Sequence, residues 1–299
     1  MLKLPDCVYN WLIDFYNEHS HCTKFQGETS QFADINASVI QGSALGPAAY
    51  LINAADLHTV NKDNVIVKFA DDTYLIVAAE RIESRNAELQ NVASWAAMNN
   101  LRLNQTKSVE IIFTRPGRGR GLAKPPPPPE EITRKESVEI LGVTFSNYFS
   151  RRKHVSTTVA ACQQTLFALK TLRAHGLEQT SLQTVFNAVA VGKLRYASPA
   201  WYGFTSAEDR ERIEVFLRKS KRAGYCPSGA QSFANMCDDA DAALFESIVS
   251  NTQHVLHQLL PPRVQRHYNL WPRSHDFELP RRTSHDADSN FIIRMLYKK

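Results

Sequence analysis

The stretch "VIVKFADDTYLIVA", Val65 to Ala78, sets two carboxylates, Asp71 and Asp72, side by side between two apolar runs. Adjacent carboxylates raise each other's pKa unless a cation offsets their repulsion. A tight turn between two strands would present both at one point. Mg²⁺ suits that arrangement, because it takes one or two carboxylates plus substrate phosphates and keeps water in its other positions. Metal ions held this way can activate an attacking hydroxyl and stabilise a leaving pyrophosphate. The bare pair fits an ordinary acidic turn equally well, since aspartate is common in turns. The acidic strand end of a P-loop ATPase is excluded, because the chain has no GxxxxGK[ST] segment. A second set, Cys226, Cys237, His254 and His257, could be written as a zinc site. Its cysteine spacing is long, and two histidines three apart fit an ordinary helix as well. His175 and His275 suggest no role.

The surrounding elements must position the acids. "NVIVKF" and "TYLIVA" read as a hairpin buried on both faces. Before it, Val8, Leu12 and Phe15 fall at helical spacing beside Trp11, residues 23–40 alternate like a hairpin, and Pro47 suits the first turn of a helix running to about Ala55. After it, Glu83 to Asn104 predicts an amphipathic helix with Ala87, Leu89, Val92, Trp95 and Met98 near one side, and "SVEIIF" a further strand. "TRPGRGRGLAKPPPPPEE", Thr114 to Glu131, combines an Arg-Gly run with five consecutive prolines. Neither a helix nor a central strand can cross it, so it reads as an exposed linker over 114–135 that splits the chain. Beyond it, "SVEILGVTF" predicts one more strand, and helices follow over His154–His175, closing at Gly176, and from Ser181 to about Leu194. Another over 205–224 starts with a Thr205–Glu208 capping box, with acids in its first turn and bases in its last. The last fifty residues are rich in Pro, Arg and His and poor in periodicity, and the tail over 228–299 reads as loosely ordered.

The chain of 299 residues, 43% hydrophobic and 22% charged, is long enough for one large or two medium domains with a real core. A net charge of +5 and a pI near 8.9 favour an anionic partner mildly. Five scattered cysteines make no disulfide framework and suit a reducing compartment. No signal peptide and no bilayer-spanning run is visible, so a soluble intracellular protein of nucleus or cytoplasm, without membrane attachment, is expected.

Four segments in order, "VIQGSALGP" (Val39–Pro47), "FADD" (Phe69–Asp72), "WAAMNNLRLNQTKSVEIIF" (Trp95–Phe113) and "EILGVTF" (Glu139–Phe145), resemble the reverse transcriptase domain of non-LTR retrotransposons. The ending "HDFELPRRTSHDADSNFIIRMLYK" resembles the C-terminal tail of such elements. The resemblance implies an α+β fold: the C-terminal part of a polymerase palm over 1–113, an antiparallel sheet with helices on one face. A last palm strand and a mostly helical, thumb-like region would follow over 136–227. The implied activity is two-metal nucleotidyl transfer, an RNA-directed DNA polymerase using Mg²⁺, an RNA template, a DNA primer and dNTPs.

The resemblance also implies roles. Asp71 and Asp72 would bind the metal, and Phe69 and Ala70 would shape the turn near the primer end. Gln41 and Gly42 would face template and nucleotide, and Lys107 would assist pyrophosphate departure unless it is simply solvated. Leu141 and Gly142 would support the primer strand. Arg151, Arg152 and Lys153, with Arg218, Lys219, Lys221 and Arg222, would track phosphates, in sequence-blind and salt-sensitive contacts; a plain solvated face fits either cluster.

Departures from the family matter as much. It needs a third metal-binding aspartate on a strand well before the QGS segment, yet Asp6, Asp14 and Asp34 are the only aspartates before Gln41 and none has strand context. The fingers are missing too, and Ile40 stands where the family has proline. The expectation is therefore a 5′-truncated polymerase fragment with little activity alone, marginally soluble or associated with the missing upstream part. A nucleic-acid-binding remnant and a non-functional translated fossil are the alternatives.

Overall fold

The computed structural model describes residues 4–35, 43–114, 125–264 and 275–298. The chain folds as two units, Met1–Asn104 and Gln105–Lys299. Helices and short strands mix in it, which makes the fold α+β. Among the described residues every sheet has two strands, and no helix is long and apolar enough to cross a membrane.

The first unit opens with α1 (Asp6–Tyr16), which half-buries Leu12 and Phe15 and stacks Trp11 on Phe15 at 5.2 Å, with no residue fully buried. Two-residue antiparallel ladders pair Ser20–His21 with Ala33–Asp34 and Lys24–Phe25 with Glu28–Thr29. α2 (Gly46–Asn53) has Pro47 in its first turn, and Ser43 Oγ accepts a hydrogen bond from the Gly46 N–H at 2.9 Å. β1 (Val65–Phe69) and β2 (Asp72–Ile76) form the expected hairpin. It is not buried on both faces: Val65, Val67, Phe69 and Ile76 are 47–61% exposed, and among the described residues no third strand joins the pair.

α3 (Arg85–Met98) ends on Asn100 in the left-handed region, with Leu101 N–H on Ala96 O and Asn100 N–H on Ala97 O. This closes the last turn as a Schellman motif. Its inward face is not the predicted apolar stripe. Glu88 and Ala96 are its buried residues, while Met98 is exposed.

In the second unit Val109–Glu110 pairs in parallel with Thr133–Arg134. Arg134 ties the flanks further, through Glu110 at 2.7 Å and the Pro126 carbonyl at 2.6 Å. The Pro-rich segment is therefore not a boundary between units. Both its ends are anchored in one of them, and the division falls earlier, after Asn104. "SVEILGVTF" is likewise two strands and not one. β3 (Ser137–Ile140) and β4 (Val143–Ser146) turn at Leu141 (φ 47°) and Gly142 (φ 78°). Two successive left-handed residues match the twist of a two-residue hairpin connection.

α4 (Arg152–Ala174) buries Val155, Val159, Cys162 and Leu169 along one face and closes at Gly176, φ 89°. α5 (Gln179–Val185) runs into a π-helical turn, Phe186–Val191. α6 (Ala207–Arg222) and α7 (Phe233–Ser250) complete the main core with Ile213, Phe216, Leu217, Phe233 and Cys237.

The cap of α6 lies one residue later than predicted. Ser206 Oγ accepts from the Asp209 N–H at 3.1 Å, and Asp209 reaches back to the Ser206 N–H. Thr205 is instead buried, its hydroxyl donating to Tyr202 O and accepting from Arg210 Nε.

Nor are the described residues after 228 loosely ordered. α7 is an 18-residue helix, and a second core joins Phe245, Ile248 and Phe277 to Phe291, Ile292, Met295 and Leu296 around α8 (Phe291–Tyr297). The core face of α7 keeps helical spacing at Phe233, Met236, Cys237, Phe245 and Ile248, while the segments that meet it come from far along the chain.

Gly203 lies where backbone and side chain close in. A β-carbon there would fall on the Ser289 carbonyl oxygen and 2.7 Å from Arg294 Nε. Gly203→Ala is expected to lower the stability of this unit by about 2 kcal/mol, as overpacking does, read as a lower urea midpoint at unchanged slope.

Candidate active site

The acidic turn consists of two residues. Phe69 pairs with Asp72 across the hairpin, leaving Ala70 and Asp71 as the connection. Ala70 takes φ 50°, a left-handed conformation that costs a β-carbon-bearing residue roughly 1–2 kcal/mol. Both aspartates are exposed. The Tyr74 hydroxyl donates to Asp72 Oδ2 at 3.4 Å, a long bond. Tyr50 of α2 lies within electrostatic reach of Asp71: burial, and then the Asp71 charge, push its phenol above the usual range.

The hairpin is held from behind at both ends of β1. At its start, Glu88 of α3, fully buried, accepts from the N–H groups of Val60 and Asn61 at 2.9 and 2.8 Å and from Asn64 Nδ2 at 2.9 Å. Asn64 Nδ2 also donates to Ser84 Oγ at 2.8 Å. At the other end, next to the acidic turn, the Lys68 ammonium donates to the carbonyls of Ala54 and of Leu57, the latter at 3.0 Å. Neither residue stood out in the sequence. Glu88 reads as a solvent-facing position of an amphipathic helix, and the one usable signal for Lys68 is a cation inside an otherwise apolar strand.

The other candidate residues are dispersed. Gln41 and Gly42 lie outside the described residues. Lys107 sits in a turn before the Val109–Glu110 strand, in the second unit. Leu141 and Gly142 form the β3–β4 turn, where the Tyr196 hydroxyl donates to Leu141 O at 3.0 Å.

Arg151 cannot track a phosphate. It is 1% exposed, its guanidinium lies over Phe145 and Phe204 at 4.1 and 4.9 Å, and it donates to Phe149 O. Burial pushes its pKa down to about 10. Arg152 and Arg218 are exposed in ion pairs with Glu208 (3.1 Å) and Glu211 (2.6 Å), and Lys153 donates to Ser137 Oγ. Lys221 is half-buried on the Ala230 carbonyl, while Lys219 and Arg222 are exposed.

The zinc reading loses its ligands. Cys226 and Cys237 are buried in the main core, burial pushing the Cys237 thiol up to about 12, and His257 Nδ1 pairs with Ile248 O at 2.7 Å. Among the described residues no three His, Cys, Asp or Glu side chains come together to hold a metal. Asp71 and Asp72 are therefore a partial donor set, one that fits a hard cation taking its remaining oxygens from water and phosphate.

Residues 1–145 match the family described as reverse transcriptase (RNA-dependent DNA polymerase). Three Drosophila melanogaster proteins resemble the chain. They are the RNA-directed DNA polymerase from mobile element jockey (23% identity over 232 residues, 73% of this chain and 25% of that protein) and the probable RNA-directed DNA polymerases from transposon BS (24%, 73% and 26%) and from transposon X-element (24%, 73% and 25%). The chain thus spans about a quarter of the length of these relatives. No solved structure matches it.

Proposed function

We propose, for a chain whose residues 1–145 match the reverse transcriptase family of RNA-dependent DNA polymerases, that the Asp71–Asp72 turn is the metal-holding corner of a nucleotidyl-transfer site. The observation that carries this reading is a backbone-fixed, two-residue turn, inside the matching region, that presents two exposed carboxylates at one point. Asp71 and Asp72 would hold Mg²⁺, which supplies charge stabilisation at the transferring phosphoryl group and activation of the attacking hydroxyl. Tyr74 orients the Asp72 carboxylate through its hydroxyl, and the rigid strands keep both acids at a fixed depth.

In this reading the first unit is part of the polymerase palm, and the helices α4 to α6 act as the thumb. The substrates are a DNA primer, an RNA template and dNTPs, with Gln41 and Gly42 facing the nucleotide and Lys107 assisting pyrophosphate departure. The β3–β4 turn at Leu141 and Gly142 backs the primer strand. Of the basic residues, Arg152, Lys153, Arg218, Lys219 and Arg222 remain able to meet phosphates.

Two carboxylates do not complete a two-metal site. The further donors, and the cover for the exposed apolar hairpin, would come from additional polymerase polypeptide in cis or in trans. Exposed Tyr9, Trp11, Ile13, Val67 and Phe69 favour such a partner.

Primer extension on an RNA template with Mg²⁺ tests the reading. The 299 residues are expected to be silent alone. Within a longer polymerase frame they should extend, and Asp71→Asn should reduce extension by at least about a hundredfold, as loss of a preorganised electrostatic element does. Extension that survives Asp71→Asn would overturn the assignment.

A further inference from the structure

We infer that Lys68 is a positioning residue for the acidic turn, fixing its distance from the helix that follows the QGS segment; this rests on reading Asp71 and Asp72 as a metal-binding pair. The hairpin register pairs Lys68 with Thr73 and Phe69 with Asp72, so the Lys68 and Asp72 side chains leave opposite faces of the hairpin. Lys68 thus holds the turn from the side away from the Asp72 carboxylate.

Its ammonium ends on two carbonyls, those of Ala54 and Leu57, which lie just past the end of α2. Carbonyls at a helix C-terminus lack intrahelical partners and carry partial negative charge, so a cation satisfies them well. Ala54 and Leu57 are only 5% and 3% exposed, among the few buried apolar residues of the first unit. The anchor is therefore set in the least yielding part of that unit. Glu88 in turn holds Val60, Asn61 and Asn64, the loop that leads into β1, so the strand is tied on both sides.

Ser43–Gly46 leads directly into α2, so Lys68 ties the acidic turn to the end of the helix that Ser43–Gly46 opens.

The test uses the whole chain with Mn²⁺ alone as the probe, reading paramagnetic broadening of the Asp71 and Asp72 amide signals and, without metal, hydrogen exchange at the Phe69 and Asp72 amides. Lys68→Met keeps the aliphatic stem and removes the donors; Lys68→Arg keeps a cationic donor. Lys68→Met is expected to weaken the Mn²⁺ response and to speed exchange at the turn by about tenfold each, with the unfolding midpoint of the second unit unmoved. Lys68→Arg should restore much of both. Exchange and Mn²⁺ response at wild-type levels in Lys68→Met would overturn the inference. No broadening in the wild type would overturn the metal reading instead, and metal-free exchange distinguishes the two failures: acceleration in Lys68→Met upholds the anchoring by itself.

Discussion

Replacing Arg294 with alanine is expected to remove about 3–5 kcal/mol from the second unit, the usual cost of stripping one partner from a buried ion pair. Arg294 grips Asp241 with both Nη atoms, at 2.5 and 3.4 Å, and Asp241 is fully buried. The same guanidinium donates to the Pro199 carbonyl and lies over the Tyr202 ring at 5.9 Å. It therefore joins α8 to α7 and to the segment beside Gly203, across the seam between the two cores.

Without it, a carboxylate is left in an apolar setting. Burial already pushes the Asp241 pKa up, against the pull of Arg294. A carboxyl whose folded pKa lies above its unfolded value loses stability as pH rises between the two. Arg294→Ala should therefore recover part of its loss on acidification, through protonation of Asp241. Urea unfolding of the variant between pH 7 and pH 4 checks both statements. A midpoint equal to wild type at neutral pH would show that the pair contributes nothing.

Glu88→Ala should be the most damaging single change in the first unit. It removes the shared acceptor of two part-buried backbone N–H groups and of the buried Asn64 amide, at roughly 1–3 kcal/mol for a buried group left unsatisfied. Partial relaxation leaves an expected loss of about 3 kcal/mol. Few buried apolar residues, Ala54, Leu57 and Ala96, share the load in that unit, so hairpin amides should lose protection first.

Burial works to raise the Glu88 pKa, but the hydrogen bonds from Asn61, Asn64 and Val60 outweigh it and hold the carboxyl below its usual value. The stability it gives is complete above the unfolded pKa and is lost as pH falls through the folded one. Glu88→Gln, which cannot titrate, should lose less than the alanine variant and should lack this acid-linked component. Amide exchange of β1 and β2 followed from pH 6 down to pH 3 separates the three proteins.

What could be read from the sequence was local. The β1–β2 hairpin showed itself because two β-rich runs flank a turn-forming pair, and α4 because its core face keeps helical spacing up to Gly176. The sequence puts the α6 cap one residue early, since two hydroxyls stand in line and tertiary contacts decide which is free: Thr205 is taken by Tyr202 and Arg210.

What was not legible depended on distant partners. Arg151 looks like one cation among three, yet Phe145 and Phe204 bury it. Glu88 looks solvated, yet a loop more than twenty residues away needs its oxygens. The segments after α7 look irregular because Pro, Arg and His interrupt them, and their order depends on contacts between distant residues, such as His275 Nε2 with Leu296 O at 2.9 Å.

The parallel pairing of Val109–Glu110 with Thr133–Arg134, with Arg134 on the Pro126 carbonyl and the Thr114 N–H on Asn147 O, fixes both flanks of a loop. The entropy of closing such a loop grows only with the logarithm of its length, so doubling it costs about 0.6 kcal/mol. The proline- and arginine-rich insert can thus lengthen, shorten or drift in composition with little effect on the fold that carries it. Variation can accumulate there while the two strands that bracket it stay in register.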